Sequence, residues 1–103
     1  MWREICHPPG DAAPRPALFL DRDGTLIELV DYLNTAADVR PIAAAVALTA
    51  RARANNIPTV LVTNQSGIGR GYYGWDAFAA VQAAVIAAAA AGGGQIDAGY
   101  ACP

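Results

Sequence analysis

The sequence predicts an α/β fold: a Rossmann-like doubly wound parallel sheet, of which it encodes a βαβαβ half. Three short apolar runs with the composition of buried strands alternate with two longer stretches of helical propensity. Strand–helix–strand repeats of this kind form parallel sheets with right-handed crossovers. At 103 residues the chain can support one small domain.

The first half of the chain supplies a leader, a strand and a helix. Residues 1–16 are rich in proline and small residues, which predicts a flexible leader. Residues 17–20 are uniformly apolar, as central parallel strands are. An irregular connector spans residues 23–34. A helix is expected over residues 41–54, since proline suits its first turn and two asparagines follow it.

The second half adds two strands and a helix. Residues 59–63 form the second buried strand, on the basis of their β-branched content. A polar loop punctuated by glycines covers residues 64–74. Residues 76–91 are alanine-rich and predict a helix that ends at the glycines of residues 92–94. Residues 96–101 complete the pattern as a third strand.

Composition limits the possible partners. The chain is 54% hydrophobic and 16% charged, with a net charge of −2 and no basic run, which disfavours nucleic acid and anionic membranes. The N-terminus lacks the pattern of a signal peptide, and the apolar residues 83–91 are too few to span a bilayer. The two cysteines form no recognisable disulfide framework. We therefore expect a cytoplasmic protein.

Two carboxylates follow the first apolar run. Residues 18–26 read Leu-Phe-Leu-Asp-Arg-Asp-Gly-Thr-Leu, which places Asp21 and Asp23 two positions apart before a glycine. Positions two apart share a face of a strand, so both acids are expected side by side at the carboxyl edge of the sheet. One acid could then attack a phosphorus atom while the other handles the proton of the leaving group.

Two alternatives compete with this interpretation. A solvated Asp-Gly turn would leave both acids without a role. A calcium-binding EF-hand loop needs glycine and glutamate where the chain has Leu26 and Tyr32, so it fails. The run from Val62 to Gly67 opposes the first alternative, because the hydroxyl of Thr63 ends the second strand. Ligands bind outside the carboxyl ends of such strands.

The order of these motifs resembles one enzyme family. Asp-x-Asp-Gly-Thr at residues 21–25 is similar to the first motif of the haloacid dehalogenase-like phosphatases. With residues 31–33, 63–71 and 100–103, the spacing resembles the D-glycero-D-manno-heptose 1,7-bisphosphate phosphatases and the related histidinol-phosphate phosphatases. The similarity runs from residue 17 to the end, so residues 17–103 are predicted to be the N-terminal part of one such domain.

The resemblance implies a role for each motif residue. Asp21 would be the nucleophile, and Asp23 the general acid and base. Mg²⁺ would be bound by Asp21 and the backbone carbonyl of Asp23. Thr63 would donate to the transferring phosphoryl group, and Thr25 could donate to a phosphate oxygen. The substrate pocket, for a small phosphorylated sugar, would be lined by Leu29, Val30, Asp31, Tyr32, Thr63, Asn64, Gln65 and Ser66.

Three further residues could bind a ligand. Arg70 and Arg22 could clamp phosphate oxygens, although arginines at such positions can also be ordinary surface residues. Cys102 stands where the related enzymes begin a zinc-binding loop, and tetrahedral zinc needs four ligands. Zn²⁺ is therefore expected only if further ligands lie downstream. The complete protein is expected to be a monomer.

The pattern also departs from the family. The related enzymes need a cationic residue, usually lysine, and a later acidic residue, but the chain contains no lysine. By analogy the first strand should lie centrally, so its apolar edge would be exposed here. Three hypotheses follow. The first is a Mg²⁺-dependent phosphatase acting on heptose bisphosphate, with histidinol phosphate as the alternative substrate. The second is a catalytically inactive module that keeps the phosphate-binding half, and the third is a nonfunctional truncated fragment.

Overall fold

The computed structural model describes residues 1–8, 10 and 14–103, which contain one four-stranded sheet. Its strands are β1 (Trp2–Ile5), β2 (Leu18–Asp21), β3 (Thr59–Asn64) and β4 (Ala98–Cys102). The helices are α1 (Ala43–Ala54), the four-residue α2 (Ser66–Gly69) and α3 (Trp75–Ala91), with a 3-10 turn at Ala36–Asp38. Among the described residues, no helix is both long and apolar enough to cross a membrane.

The strand order is β1-β4-β3-β2, and the predicted βαβαβ unit is confirmed. The central pairs β2–β3 and β3–β4 are parallel. Their register places Asp21 beside Val62, and Val62 beside Tyr100. The carboxyl ends of the three parallel strands therefore meet at one edge of the sheet, where the predicted site residues lie.

The antiparallel strand β1 lies within residues 1–16, which the sequence predicted to be a flexible leader, so that prediction needs correcting for Trp2–Ile5. This strand pairs with β4. The ring of Trp2 stacks on Trp75 at a centroid distance of 6.0 Å and meets the edge of Phe78 at 5.2 Å. Aromatic packing on α3 thus anchors the N-terminus. Residues 9 and 11–13 of the predicted leader lie outside the described residues.

The core lies between one face of the sheet and the helices α1 and α3. Its strand residues are Leu20 and Leu61, and its helix residues include Val46, Val81 and Val85, all buried. Burial of each such side chain contributes about 1.5–3 kcal/mol. Since alternate strand residues point to opposite faces, the other face carries apolar side chains that stay exposed: Phe19 at 64%, Val62 at 39% and Tyr100 at 36%.

Candidate active site

A tight turn follows β2 and separates the two predicted acids. The N–H groups of Leu26 and Ile27 both donate to the carbonyl of Arg22, at 3.0 and 3.1 Å. The turn passes through Gly24 at a φ of +83°, which glycine adopts without strain. Strand geometry ends at Asp21, so the alternation that was expected to align Asp21 and Asp23 does not extend to Asp23.

The acids line two cavities, each of about 360 Å³, at the carboxyl edge of the sheet. Asp21 lines the first, with Thr63 and Asn64 from β3 and with residues of β4. Asp23 lines the second, to which Asn64 also contributes. Asn64 therefore lies at the border between the nucleophile predicted at Asp21 and the acid predicted at Asp23.

Asp21 presents an exposed carboxylate to the first cavity. One of its oxygens, Oδ1, accepts a hydrogen bond of 3.0 Å from the backbone N–H of Arg22. Within the described part of the chain it takes part in no ion pair. Because it is exposed and has no ion-pair partner among the described residues, this carboxylate can contact a ligand at the carboxyl edge of the sheet. A nucleophile or a metal ligand needs such access.

Asp23, in contrast, is held by several donors. Its Oδ2 accepts hydrogen bonds from the hydroxyl of Thr63 at 2.9 Å and from Nε2 of Gln65 at 2.8 Å. The guanidinium of Arg22 adds a fork, with Nε 3.2 Å from Oδ2 and Nη2 3.1 Å from Oδ1. Every partner donates, so the arrangement fixes an acceptor carboxylate in one orientation.

Arg22 faces the core and, among the described residues, lines neither of these two cavities. Its side chain is fully buried, at 0% exposure. Nη1 donates to Oε1 of Gln82 at 3.1 Å, and the guanidinium carbon lies 5.2 Å from the centroid of the Phe78 ring. The proposed phosphate clamp at Arg22 is therefore wrong in this arrangement, because the guanidinium is already enclosed by protein groups.

Gln65 joins β3 to a tyrosine that the sequence analysis missed. Its Nε2 donates to Asp23, while its Oε1 accepts a 2.5 Å hydrogen bond from the hydroxyl of Tyr73. Burial raises the pKa of the Tyr73 phenol, with a smaller upward contribution from the charge of Asp23, whereas the charge of Arg22 lowers it. Tyr73 follows α2 in the stretch predicted to be a polar loop punctuated by glycines, where no pattern indicated that its side chain turns inward.

Gly67 allows the rings of Tyr32 and Tyr73 to approach each other beside the second cavity. A Cβ at position 67 would collide with the ring of Tyr73 and would come within 2.9 Å of the ring of Tyr32. Tyr32 adopts a φ of 51°, and its ring meets the edge of Tyr72 at a centroid distance of 4.8 Å. The absence of a side chain at Gly67 thus leaves room for both rings beside the second cavity.

The structure brings most of the predicted pocket residues together and leaves two outside. The second cavity is lined by residues of both predicted segments, Leu29, Val30, Asp31, Tyr32, Asn64, Gln65 and Ser66. Thr25 and Arg70 are exposed, and neither belongs to the described lining of the two cavities. Cys102 lines the first cavity as a free thiol.

The oxygen donors at the sheet edge fit a hard cation better than zinc. The carboxylate of Asp21 and the backbone carbonyl of Asp23 are ligands of the type that Mg²⁺ prefers. Zinc is not supported, because the described residues contain no cluster of three or more histidine, cysteine or acidic side chains. Mg²⁺ tolerates such a sparse protein ligand set because it usually retains waters and binds phosphate oxygens.

No protein-family profile matches the chain, but several curated proteins do. A D-glycero-beta-D-manno-heptose-1,7-bisphosphate 7-phosphatase from Mesorhizobium japonicum is 49% identical over 90 residues, which cover 84% of this chain and 40% of that protein. The enzyme of the same name from Pseudomonas aeruginosa is 34% identical over 86% of the chain and 51% of its own length. The chain thus spans about half the length of these relatives.

Solved structures agree with the sequence matches. A candidate HAD-like phosphatase from Mesorhizobium loti superimposes with a TM-score of 0.92 at 42% identity, over 98% of this chain and 48% of its own. The D,D-heptose 1,7-bisphosphate phosphatase from B. bronchiseptica, solved with magnesium and phosphate, gives a TM-score of 0.79 at 29% identity, over 86% of this chain and 50% of its own.

Proposed function

Since the chain is a homologue of the N-terminal half of haloacid dehalogenase-like phosphatases, we propose that it carries the nucleophile and the acid–base group of a phosphatase. The reaction would be hydrolysis of a sugar phosphate monoester. The observation that carries this proposal is the contrast between the two acids: Asp21 is free to react, while Asp23 is held by donors from Arg22, Thr63 and Gln65.

The proposed reaction has two steps. In the first, a carboxylate oxygen of Asp21 attacks phosphorus, and the bond from phosphorus to the sugar oxygen breaks as that oxygen takes a proton from Asp23. In the second, Asp23 removes a proton from water, the water oxygen attacks the aspartyl-phosphate, and inorganic phosphate leaves. Asp21 is thereby regenerated as a carboxylate and Asp23 as a carboxylic acid, so one water is consumed per ester cleaved.

The proposal includes Mg²⁺, which Asp21 and the carbonyl of Asp23 would hold. The ion would neutralise charge where a carboxylate meets a phosphate dianion. The B. bronchiseptica structure, which contains magnesium and phosphate, supports this choice. The residues of this chain would orient the phosphoryl group, with donors from Asn64 and from the hydroxyl of Thr63 at the end of β3.

The proposed substrate is D-glycero-D-manno-heptose 1,7-bisphosphate, cleaved at its 7-phosphate. The second cavity combines the apolar rim of Leu29, Val30 and Tyr32 with the polar groups of Asp31 and Asn64. Such a lining suits a sugar, whose ring presents both C–H faces and hydroxyl groups. The names of the relatives favour the heptose bisphosphate over histidinol phosphate, which stays the alternative.

The test is phosphate release from the heptose bisphosphate by the purified chain, with and without Mg²⁺. We expect release that requires Mg²⁺ and that falls by at least about a hundredfold in Asp21→Asn. Asp76→Asn is the matched control, since Asp76 lies in the first turn of α3. Binding of the phosphate ester without turnover would instead favour an inactive phosphate-binding module. Undiminished release by Asp21→Asn would refute the proposal.

A further inference from the structure

We propose that Arg22 is a positioning residue for the acid–base step, and that Gln82 and Phe78 on α3 position Arg22 in turn. The inference rests on the proposed function, because it takes Asp23 to be the group that gives and receives the proton. Neither Gln82 nor Phe78 belongs to the described lining of either cavity. Their proposed influence on the reaction is through Arg22, which both contact.

Arg22 and Asp23, which are neighbours in sequence, are joined by a fork of two hydrogen bonds. Nε and Nη2 of Arg22 donate to different oxygens of Asp23, at 3.2 and 3.1 Å. Two parallel hydrogen bonds from a rigid guanidinium fix both the position and the plane of a carboxylate. A proton donor needs this control, since misplacement by about 1 Å can reduce a rate a hundredfold.

The guanidinium of Arg22 is in turn enclosed by Gln82 and Phe78 of α3. Nη1 of Arg22 donates to Oε1 of Gln82 at 3.1 Å, and Nε2 of Gln82 donates to Oε1 of Glu4 at 3.0 Å. The ring of Phe78 lies under the guanidinium at 5.2 Å, within the range of a cation–π contact. A chain of contacts therefore connects β1, through α3, to the carboxylate of Asp23.

Stability alone is a weak reason for this arrangement. Replacing a buried ion pair with well-packed apolar side chains is often neutral or stabilising. At 0% exposure, Arg22 carries the full desolvation cost of a charge. Unlike an apolar residue, the buried arginine holds the carboxylate of Asp23 in one plane at the carboxyl edge of the sheet.

The donor pattern also distinguishes the two oxygens of Asp23. Oδ2 of Asp23 accepts three hydrogen bonds, from Arg22, Thr63 and Gln65. Oδ1 accepts one, from Nη2 of Arg22. Oδ1 therefore keeps more free acceptor capacity than Oδ2. The donors of Arg22, Thr63 and Gln65 thus converge on one side of the carboxylate and fix its orientation.

The experiment compares two leaving groups. The alkoxide of the heptose needs a proton as it departs, whereas p-nitrophenolate departs without one. We expect Gln82→Met, which keeps the side-chain volume but removes the acceptor for Nη1, to lower kcat/KM for the heptose bisphosphate about tenfold, since kcat/KM reports the steps up to departure of the leaving group. The kcat/KM for p-nitrophenyl phosphate should change less than about threefold, whereas kcat, which includes the water step that Asp23 serves for both substrates, can fall on both. Arg22→Lys should show the same selectivity more strongly.

The matched control is Gln95→Met. Gln95 also donates through Nε2 to a carboxylate, that of Asp97, at 3.0 Å, but it precedes β4 at the opposite edge of the sheet. It should change kcat/KM for neither substrate. If Gln82→Met lowered kcat/KM equally for both substrates, its role would be structural and the proposal would be overturned.

A second readout does not depend on turnover. With ¹³C-labelled aspartate, the carboxyl signal of Asp23, assigned by its loss in Asp23→Asn, should be single and sharp in the wild type. In Gln82→Met it should shift and broaden, while Gln95→Met should leave it unchanged. A wild type inactive on both substrates would refute the proposed function, and this spectrum would then decide the role of Arg22. An unchanged Asp23 signal in Gln82→Met would refute the positioning role.

Discussion

The hydroxyl of Thr63 donates a 2.9 Å hydrogen bond to Oδ2 of Asp23, across 40 positions of sequence. The resemblance to known phosphatases implies that this hydroxyl binds the transferring phosphoryl group. A threonine hydroxyl carries one proton and can donate to one acceptor at a time. We therefore infer that arrival of a phosphate would release Oδ2 of Asp23 from one of its three donors.

Replacing Thr63 with valine should slow the reaction by about tenfold to a hundredfold. Valine keeps the branched shape that β3 requires but removes the donor shared by Asp23 and the phosphoryl group. Serine restores the hydroxyl, so Thr63→Ser should recover most of the rate. Steady-state phosphate release measures both variants, and a loss in Thr63→Ser as large as that in Thr63→Val would contradict the assignment of the effect to the hydroxyl.

Gly67→Ala should destabilise the fold by about 1–3 kcal/mol, because the added methyl group collides with the ring of Tyr73. Urea unfolding followed by circular dichroism measures the change. Gly74→Ala is a suitable control, since a Cβ there meets nothing within 4 Å and its φ of −107° is open to alanine. A matching loss in Gly74→Ala would show that the effect is not the collision.

Tyr73 should make the protein less stable in strong alkali. Burial raises its pKa in the folded state above the ordinary value of 10.0. The unfolded chain therefore loses the phenol proton first, and the free energy of unfolding falls as the pH rises from about 10 through the folded-state pKa. Tyr73→Phe removes this titration. Urea midpoints between pH 8 and 11 should fall less steeply in Tyr73→Phe than in the wild type, and parallel curves would contradict the prediction.

Trp2→Ala should cost about 2–4 kcal/mol of stability, because the indole is packed against Trp75 and Phe78. Arg3→Ala, on the exposed side of the same strand, should cost less than about 0.5 kcal/mol. Thermal unfolding distinguishes the two variants. If Trp2→Ala melted like the wild type, β1 would contribute little to the fold.

The parts of the fold that the sequence predicted are those with a strong local pattern. The apolar run before Asp21 and the β-branched run before Thr63 indicated two parallel strands, and parallel strands bring their carboxyl ends to one edge. Strand β1 was missed because four residues beside a proline-rich stretch give little signal. Its stability comes from contacts of Trp2 with α3, which lies more than 70 positions away.

The roles of Arg22 and Tyr73 depend on side-chain direction, which sequence spacing does not determine. Arg22 stands between two acids in a motif, and its burial depends on Gln82 and Phe78 of α3, which approach it only in the folded chain. Tyr73 lies in a stretch whose glycines and polar residues predicted a loop. The helical turn at α2 instead brings it back to Gln65.

The stacking of Trp2 on Trp75 gives the chain a built-in optical probe. These are its two tryptophans, and they join β1 to α3 at a centroid distance of 6.0 Å. All indole fluorescence therefore originates at this one junction, and the exciton coupling of two stacked indoles should appear in the near-ultraviolet dichroism. Detachment of the N-terminal strand can thus be timed by spectroscopy, with no label and no change at the residues that would meet a phosphate.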